Sequence, residues 1–196
     1  MANAAQRVKS QHSLKPIAMS TLVKRILLGL LGALVVLQFF QIDKANPPVP
    51  DGQDLIAAMQ PPQDVVQLLK DACYDCHSYH TTYPWYANVQ PVGWWLKGHV
   101  DEGREHLNFS TWTAYDAEKR AHKAEECAEE VKEGHMPLKA YPLTHAEARL
   151  SDEQRSRLVT WFSALADDRD ISKRIREKAP EKSAKPELQH KDMPTE

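Results

Sequence analysis

What this chain of 196 residues lacks narrows its class before any motif is read. It has no run of alternating β-branched residues and no internal repeat, which argues against a sandwich, a barrel or a solenoid and leaves an all-α domain. Cysteine occurs three times, too seldom and in the wrong parity for a disulfide framework. Basic residues are scarce through the middle: residues 45 to 166 hold 11 Lys or Arg against 18 Asp or Glu, a net charge of minus seven, although the whole chain carries minus two. That balance argues against nucleic acid as a partner and leaves room for a basic protein. Acidic residues, conversely, are missing from residues 1 to 25, where Arg7, Lys9, Lys15, Lys24 and Arg25 stand alone.

Directly after this basic stretch comes "ILLGLLGALVVLQFFQI", residues 26 to 42. As a helix it would rise about 25 Å, near the lower limit for a hydrocarbon core, with Leu22 and Val23 able to extend it while Lys24 and Arg25 snorkel. A cleaved signal sequence is the competing reading, but the succeeding "QFFQIDKANPPV" has no A-x-A-like site and no nearby cysteine could accept a lipid. The segment therefore reads as a transmembrane anchor. By the positive-inside rule residues 1 to 25 stay in the cytoplasm, and the rest of the chain lies on the periplasmic side of a bacterial inner membrane.

Prolines, glycines and helix caps divide the chain beyond the anchor. Residues 43 to 60 include "NPPVPDG" and read as a Pro-rich tether, and a domain is expected over residues 61 to 166. Val65, Val66, Leu68, Leu69, Ala72 and Cys73 share one helical face after Pro61 and Pro62. A second helix is expected over "VGWWLKGHVDEGREHL", and a third over "AYDAEKRAHKAEECAEEVKEG", opened by a capping box of Thr113 with Asp116 and closed by Gly134. Between the third and fourth helices "HMPLKAYPLTHAEARL" has too much proline for a continuous helix. Ser151 and Gln154 then cap the last helix, which carries Leu158, Val159, Trp161, Phe162 and Leu165. Residues 167 to 196 have the composition of a charged, disordered tail.

The first of those helices ends in "ACYDCHSYH", residues 72 to 80. Three chemistries fit Cys73, Cys76 and His77. Covalent haem attachment uses two cysteines on a short turn to reach neighbouring vinyl groups, and the next histidine to ligate the iron. It also explains how a Cys-x-x-Cys pair escapes oxidation on the exported side. A thioredoxin-like redox pair would sit at the start of a helix among strands, whereas this one ends a helix and no strands are in sight. A zinc site could use Cys73, Cys76 and His80, but it lacks a second tight pair, because Cys127 stands alone and reads as a small buried hydrophobe.

A bound haem c would need a sixth ligand, and the chain offers Met59, Met136, His80, His99, His106, His122, His135 and His145. Met136 is preferred because it comes after a helix end and precedes Pro137, in a loop free to fold over the iron; His135 is the runner-up. Tyr83, Trp85, Tyr86, Trp94 and Trp95 are candidates both for walls of the porphyrin and for the core.

On these residues, the chain resembles the bacterial haem-binding-domain proteins, which are exported, often membrane-tethered and carry a single Cys-x-x-Cys-His. The likeness rests on "NPPV", on "CYDCHSYHTTYPWYANVQPVGWWLKGHVDEGREHLNFSTW" and on "EGHMPLKAYPLTHAEARLS", and spans about residues 40 to 165. The resemblance implies a haem site at Cys73, Cys76 and His77, places the family's methionine before proline on Met136, and implies electron transfer by likeness to cytochromes c. The chain departs from the family at His135, where most members have an acidic residue. The expectation is a membrane-anchored monohaem c-type cytochrome-like protein, an electron carrier rather than a catalyst, serving an unidentified redox partner. Its rival is a peroxidase-like or gas-binding haem protein with an open sixth position, in which His99 or Arg104 stands over the iron.

Overall fold

Two reciprocal hydrogen bonds show how faithfully the local signals are obeyed. Ser151 N–H donates to Gln154 Oε1 at 2.8 Å and Gln154 N–H to Ser151 Oγ at 3.1 Å, a complete capping box at the head of helix Asp152–Asp167. The structure, a computed structural model, describes residues 20 to 167; the basic stretch before Ser20 and the tail after Asp167 lie outside the described residues. Within them the chain forms helices α1 (Thr21–Leu37), α2 (Leu55–Met59), α3 (Gln63–Ala72), α4 (Tyr74–His77), α5 (Val92–His106), α6 (Ala117–Glu133), α7 (Tyr141–Thr144) and α8 (Asp152–Asp167). Single 3-10 turns occur at Trp85–Asn88, Phe109–Ala114 and Ala146–Ala148, and no strand occurs among the described residues. The all-α expectation holds.

Helices α6 and α8 form the main packed pair. The thin stripe of α6, Ala124, Ala128 and Val131, is buried against the larger Leu158, Phe162 and Leu165 of α8, so that small residues on one helix make room for large ones on the other. Val65, Leu68 and Leu69 of α3 close the third side, and Phe109 and Trp112 fill the centre. Each such side chain stabilises the fold by about 1.5–3 kcal/mol through removal from water. Asp116 alone caps α6, its carboxylate accepting from Lys119 N–H at 2.8 Å, while Thr113 lies in the preceding 3-10 turn. Gly134 closes α6 with φ at 77°, a conformation that suits glycine.

Two boundaries differ from the sequence expectation. The stretch at residues 43 to 60 is not a free tether: Asp54 caps α2, and Leu55 is fully buried in the core. Five residues are too few to display a helical period, so the prolines around them dominate the sequence signal. The apolar run at residues 26 to 42 does not form one helix either, since α1 starts at Thr21, capped by Ser20, and stops at Leu37. There Gln38 caps the helix, and its side chain donates to Gln90 O at 3.0 Å and accepts from Gln90 N–H at 2.9 Å. Among the described residues no helix is long and apolar enough to cross a membrane. None of the residues of α1 is buried against the rest of the chain.

Candidate functional site

The Cys-x-x-Cys-His segment occupies a break between helices. α3 ends at Ala72, Cys73 leaves the helical path with φ at −129°, and α4 starts again at Tyr74. Cys76 and His77 N–H both donate to Cys73 O, at 3.2 and 3.0 Å, so one short turn presents both sulfurs and the imidazole. Both thiols are free and half-buried. Burial, with the neighbouring Cys76 adding to it, pushes Cys73 up to about 12; burial and the Asp75 charge push Cys76 up to about 11. Neither is a ready thiolate.

His77 is positioned by backbone. Its Nδ1 lies 2.9 Å from Gly103 O and 3.2 Å from Leu107 O. Both partners are carbonyls and can only accept, so Nδ1 carries the proton and Nε2 keeps its lone pair. Burial holds the imidazole below its ordinary pKa, outweighing the two carbonyl bonds that favour its charged form. The result is a neutral, oriented nitrogen donor of the kind a metal requires. The approach of α5 that supplies these carbonyls depends on Gly103, since a Cβ there would lie 2.9 Å from Cys76 O, backbone against backbone.

Residues around the turn hold it from three directions. Asp75, between the cysteines, accepts Thr82 N–H on Oδ1 at 2.8 Å and Tyr141 O–H on Oδ2 at 2.7 Å. Ser78, fully buried, donates from Oγ to Tyr74 O and accepts His80 N–H. Arg104 donates to Ser78 O, Thr81 Oγ1 and Asn46 Oδ1 and lies over the Tyr79 ring. It is therefore a fastener of this loop, not a free residue above an open iron. His99 packs edge-on against Trp95 with centroids 4.4 Å apart, near Glu102, and is likewise engaged elsewhere.

Met136 and His135 diverge. Met136 is half-buried and packs against the same core that Cys73 and Cys127 touch, while Arg155 donates to Met136 O at 3.1 Å and also to Val131 O. The His135 ring lies 3.4 Å from Glu130 and from Glu133 and is 60% exposed. Of the other candidates, Met59 also packs on the core, His80 faces Asp54, and His122 pairs with Glu126. His145 stacks on Tyr141 at 4.1 Å and bonds Tyr86 Oη through Nε2.

The aromatics are placed differently from expectation. Trp85, Trp94 and Trp95 are exposed, whereas Phe109 lies 6.1 Å from the His77 ring, and Trp112 stands behind it, 6.4 Å from Phe109. Sequence reasoning did not single out Phe109, Trp112 or Gly103; the i, i+3 spacing of Phe109 and Trp112 after a helix end was a usable signal for the first two. Among the described residues the buried Trp112 Nε1, Tyr83 Oη and Asp54 Oδ2 have no hydrogen-bond partner, a condition that buried polar groups seldom tolerate. An open groove of about 800 Å³ lies elsewhere, between α3 and α8, among Asp64, Asp71, Glu153 and Arg157, and touches none of these residues.

The site thus offers two protonated thiols and one neutral imidazole within a single turn, with aromatic packing beside the imidazole. These features fit a haem, which brings vinyl groups and an iron. Among the described residues no group of three or more His, Cys, Asp or Glu side chains could hold a metal ion by itself. No curated protein and no solved structure matches the chain. The haem-binding domain family does: its profile matches residues 32–164, from within α1 to near the end of α8, and the chain belongs to that family.

Proposed function

We propose that the protein is a monohaem c-type cytochrome-like electron carrier, anchored to the bacterial inner membrane with its domain in the periplasm. The observation that carries this reading is His77, whose Nδ1–H is held by two carbonyls one residue beyond a pair of free, protonated thiols. Cys73 and Cys76 would hold the haem as thioethers, since addition of an S–H across a vinyl group needs no oxidant. His77 Nε2 would supply one ligand to the iron and Met136 Sδ the other, with His135, held among carboxylates at the surface, the lesser candidate. When bound, the haem iron takes up and gives back one electron, while the chain supplies ligands, burial and orientation. The acidic domain surface suits a basic redox partner.

Anchoring is supported by α1, whose apolar side chains from Leu22 to Val36 are exposed among the described residues. Its rise of about 26 Å is shorter than a typical hydrocarbon core, a mismatch that bilayer thinning and snorkelling by Lys24 and Arg25 accommodate. A dithiol redox function is disfavoured by thiols pushed up to about 12 and about 11, opposite to the depressed value such chemistry needs.

The test is a haem-peroxidase stain of a denaturing gel, comparing the wild type made alongside haem-attachment machinery with a Cys73→Ala/Cys76→Ala variant. A stain that stays with the wild-type band and disappears in the variant is expected. An unstained wild-type band, with good expression and export, would overturn covalent attachment. Loss of the far-red sulfur-to-iron band in Met136→Ala checks the second ligand, and an unchanged spectrum would rule out Met136 and leave His135 or an open sixth position.

A further inference from the structure

The link between α1 and the domain is a built joint. Gln38 exchanges two hydrogen bonds with the backbone of Gln90, Gln41 donates to Asn88 O at 3.2 Å, and Trp94 Nε1–H donates to Phe40 O at 2.8 Å. Lys44 reaches Asn88 Oδ1. Gln90 is fully buried, and Gly93 packs so closely that a Cβ there would meet Ala87 O at 2.3 Å. The family match starts at residue 32, so the joint lies inside the family's unit rather than before it.

Around this joint the surface exposes large apolar side chains, and within residues 38 to 44 the one carboxylate, Asp43, stands beside Lys44. Phe39 is 82% exposed, Trp85 77% and Trp95 54%, with Val89 and Val92 also exposed. In a domain of net charge minus seven, no acidic residue occurs between Asp75 and Asp101. Tryptophan is the side chain most suited to the boundary between headgroups and acyl chains, and the lack of carboxylates over residues 76 to 100 lowers repulsion from anionic lipid.

Resting on the anchoring reading, we infer that the Trp85–Trp95 face lies in the interfacial layer of the membrane that α1 enters, held there by the Gln38, Gln41 and Trp94 bonds. The domain then stands on the bilayer at a fixed attitude instead of swinging on a tether. Nine residues of α5 separate Trp94 from Gly103, about 14 Å along the helix. Because Gly103 O holds His77, the joint also sets the height of the haem ligand above the lipid.

The test uses the full-length, haem-loaded protein in vesicles of three parts phosphatidylcholine to one part phosphatidylglycerol. The vesicles include a phosphatidylcholine with a photoreactive diazirine near the carbonyl end of its acyl chain, and adducts are mapped by mass spectrometry. Labelling is expected in α1 and in residues 85 to 95, but not in the peptides carrying Trp112 or Trp161. Gln38→Ala/Gln41→Ala should lower labelling of residues 85 to 95 several-fold while leaving α1 labelled. Val92→Glu, at an exposed position, should do the same with the joint intact. Labelled α1 with unlabelled residues 85 to 95 would overturn this inference and leave the anchor standing. No label in either segment would overturn anchor and inference together.

Discussion

The two sides of the site are made of different materials. On the His77 side, position comes from backbone: two carbonyls of α5 and its end hold the ring, a glycine admits the helix, and Arg104 ties down the adjoining loop. On the Met136 side, position comes from the last turn of α6, where His135 and Met136 N–H both donate to Glu130 O, and from one arginine of α8. Backbone set in packed helices is stiff, whereas a loop held by a few bonds opens at lower free energy. On the proposed reading, His77 would be held in place by the fold itself, and Met136 would sit on the half that opens more easily.

The sharpest way to break the His77 side is through Phe109. Its ring is 1% exposed and stacks on Tyr74 at 5.4 Å and on Phe162 at 6.4 Å, joining the motif turn to α8. Phe109→Ala should destabilise the domain by about 3–5 kcal/mol, through lost transfer energy and the cavity left behind. Urea unfolding of the haem-loaded protein checks this, and a loss below about 1 kcal/mol would show that Phe109 is not the link between motif and core.

Next comes Gly103→Ala. Either α5 or the motif turn must move, at a cost of about 1–3 kcal/mol, and the His77 hydrogen bonds should loosen with it. The expected readout is a lower midpoint in thermal unfolding together with a reduced yield of covalent haem. Unchanged yield would mean that backbone positioning of His77 is dispensable for attachment.

How much of the fold and site is legible in the sequence depends on range. The capping box at Ser151 and the left-handed Gly134 are signals within four residues, and the structure honours them, whereas the box expected of Thr113 with Asp116 gives way to a cap by Asp116 itself. Cys73, Cys76 and His77 announce themselves by spacing. Gly103 does not, because its reason for being glycine is the carbonyl of Cys76, 27 positions earlier. The end of α1 is hidden for the same reason: the Gln38 side chain meets Gln90, 52 residues later. Composition misleads most over the aromatics, since a count of tryptophans does not say which are dry; Trp112 is buried and Trp85 is not.

On the Met136 side the effect on stability should be smaller and the effect on ligation larger. Arg155→Gln removes donors to Val131 O and Met136 O, for about 1–3 kcal/mol. If the loop is the movable half, the far-red sulfur-to-iron band should weaken while the covalent haem stain stays constant. A stain that falls as much as in Gly103→Ala would erase the distinction between the two sides.

The smallest effect tests whether the sides communicate. Tyr141, in the loop after Met136, donates to Asp75 Oδ2 between the two cysteines, at 2.7 Å. Burial, and then that carboxylate, push its hydroxyl pKa up, so it stays a donor across the physiological range. Tyr141→Phe keeps the ring stacked on His145 and removes only the bond, for about 0.5–1.5 kcal/mol. Asp75 Oδ1 would still be held by Thr82 N–H, so the motif turn should persist and haem yield should not change. A double-mutant cycle with Asp75→Asn isolates the pair, and a coupling near ~1 kcal/mol is expected. Coupling indistinguishable from zero would mean that the Met136 loop moves independently of the haem-attaching turn. Coupling accompanied by a weaker far-red band would mean that Tyr141 is the strap by which attachment at one side sets ligation at the other.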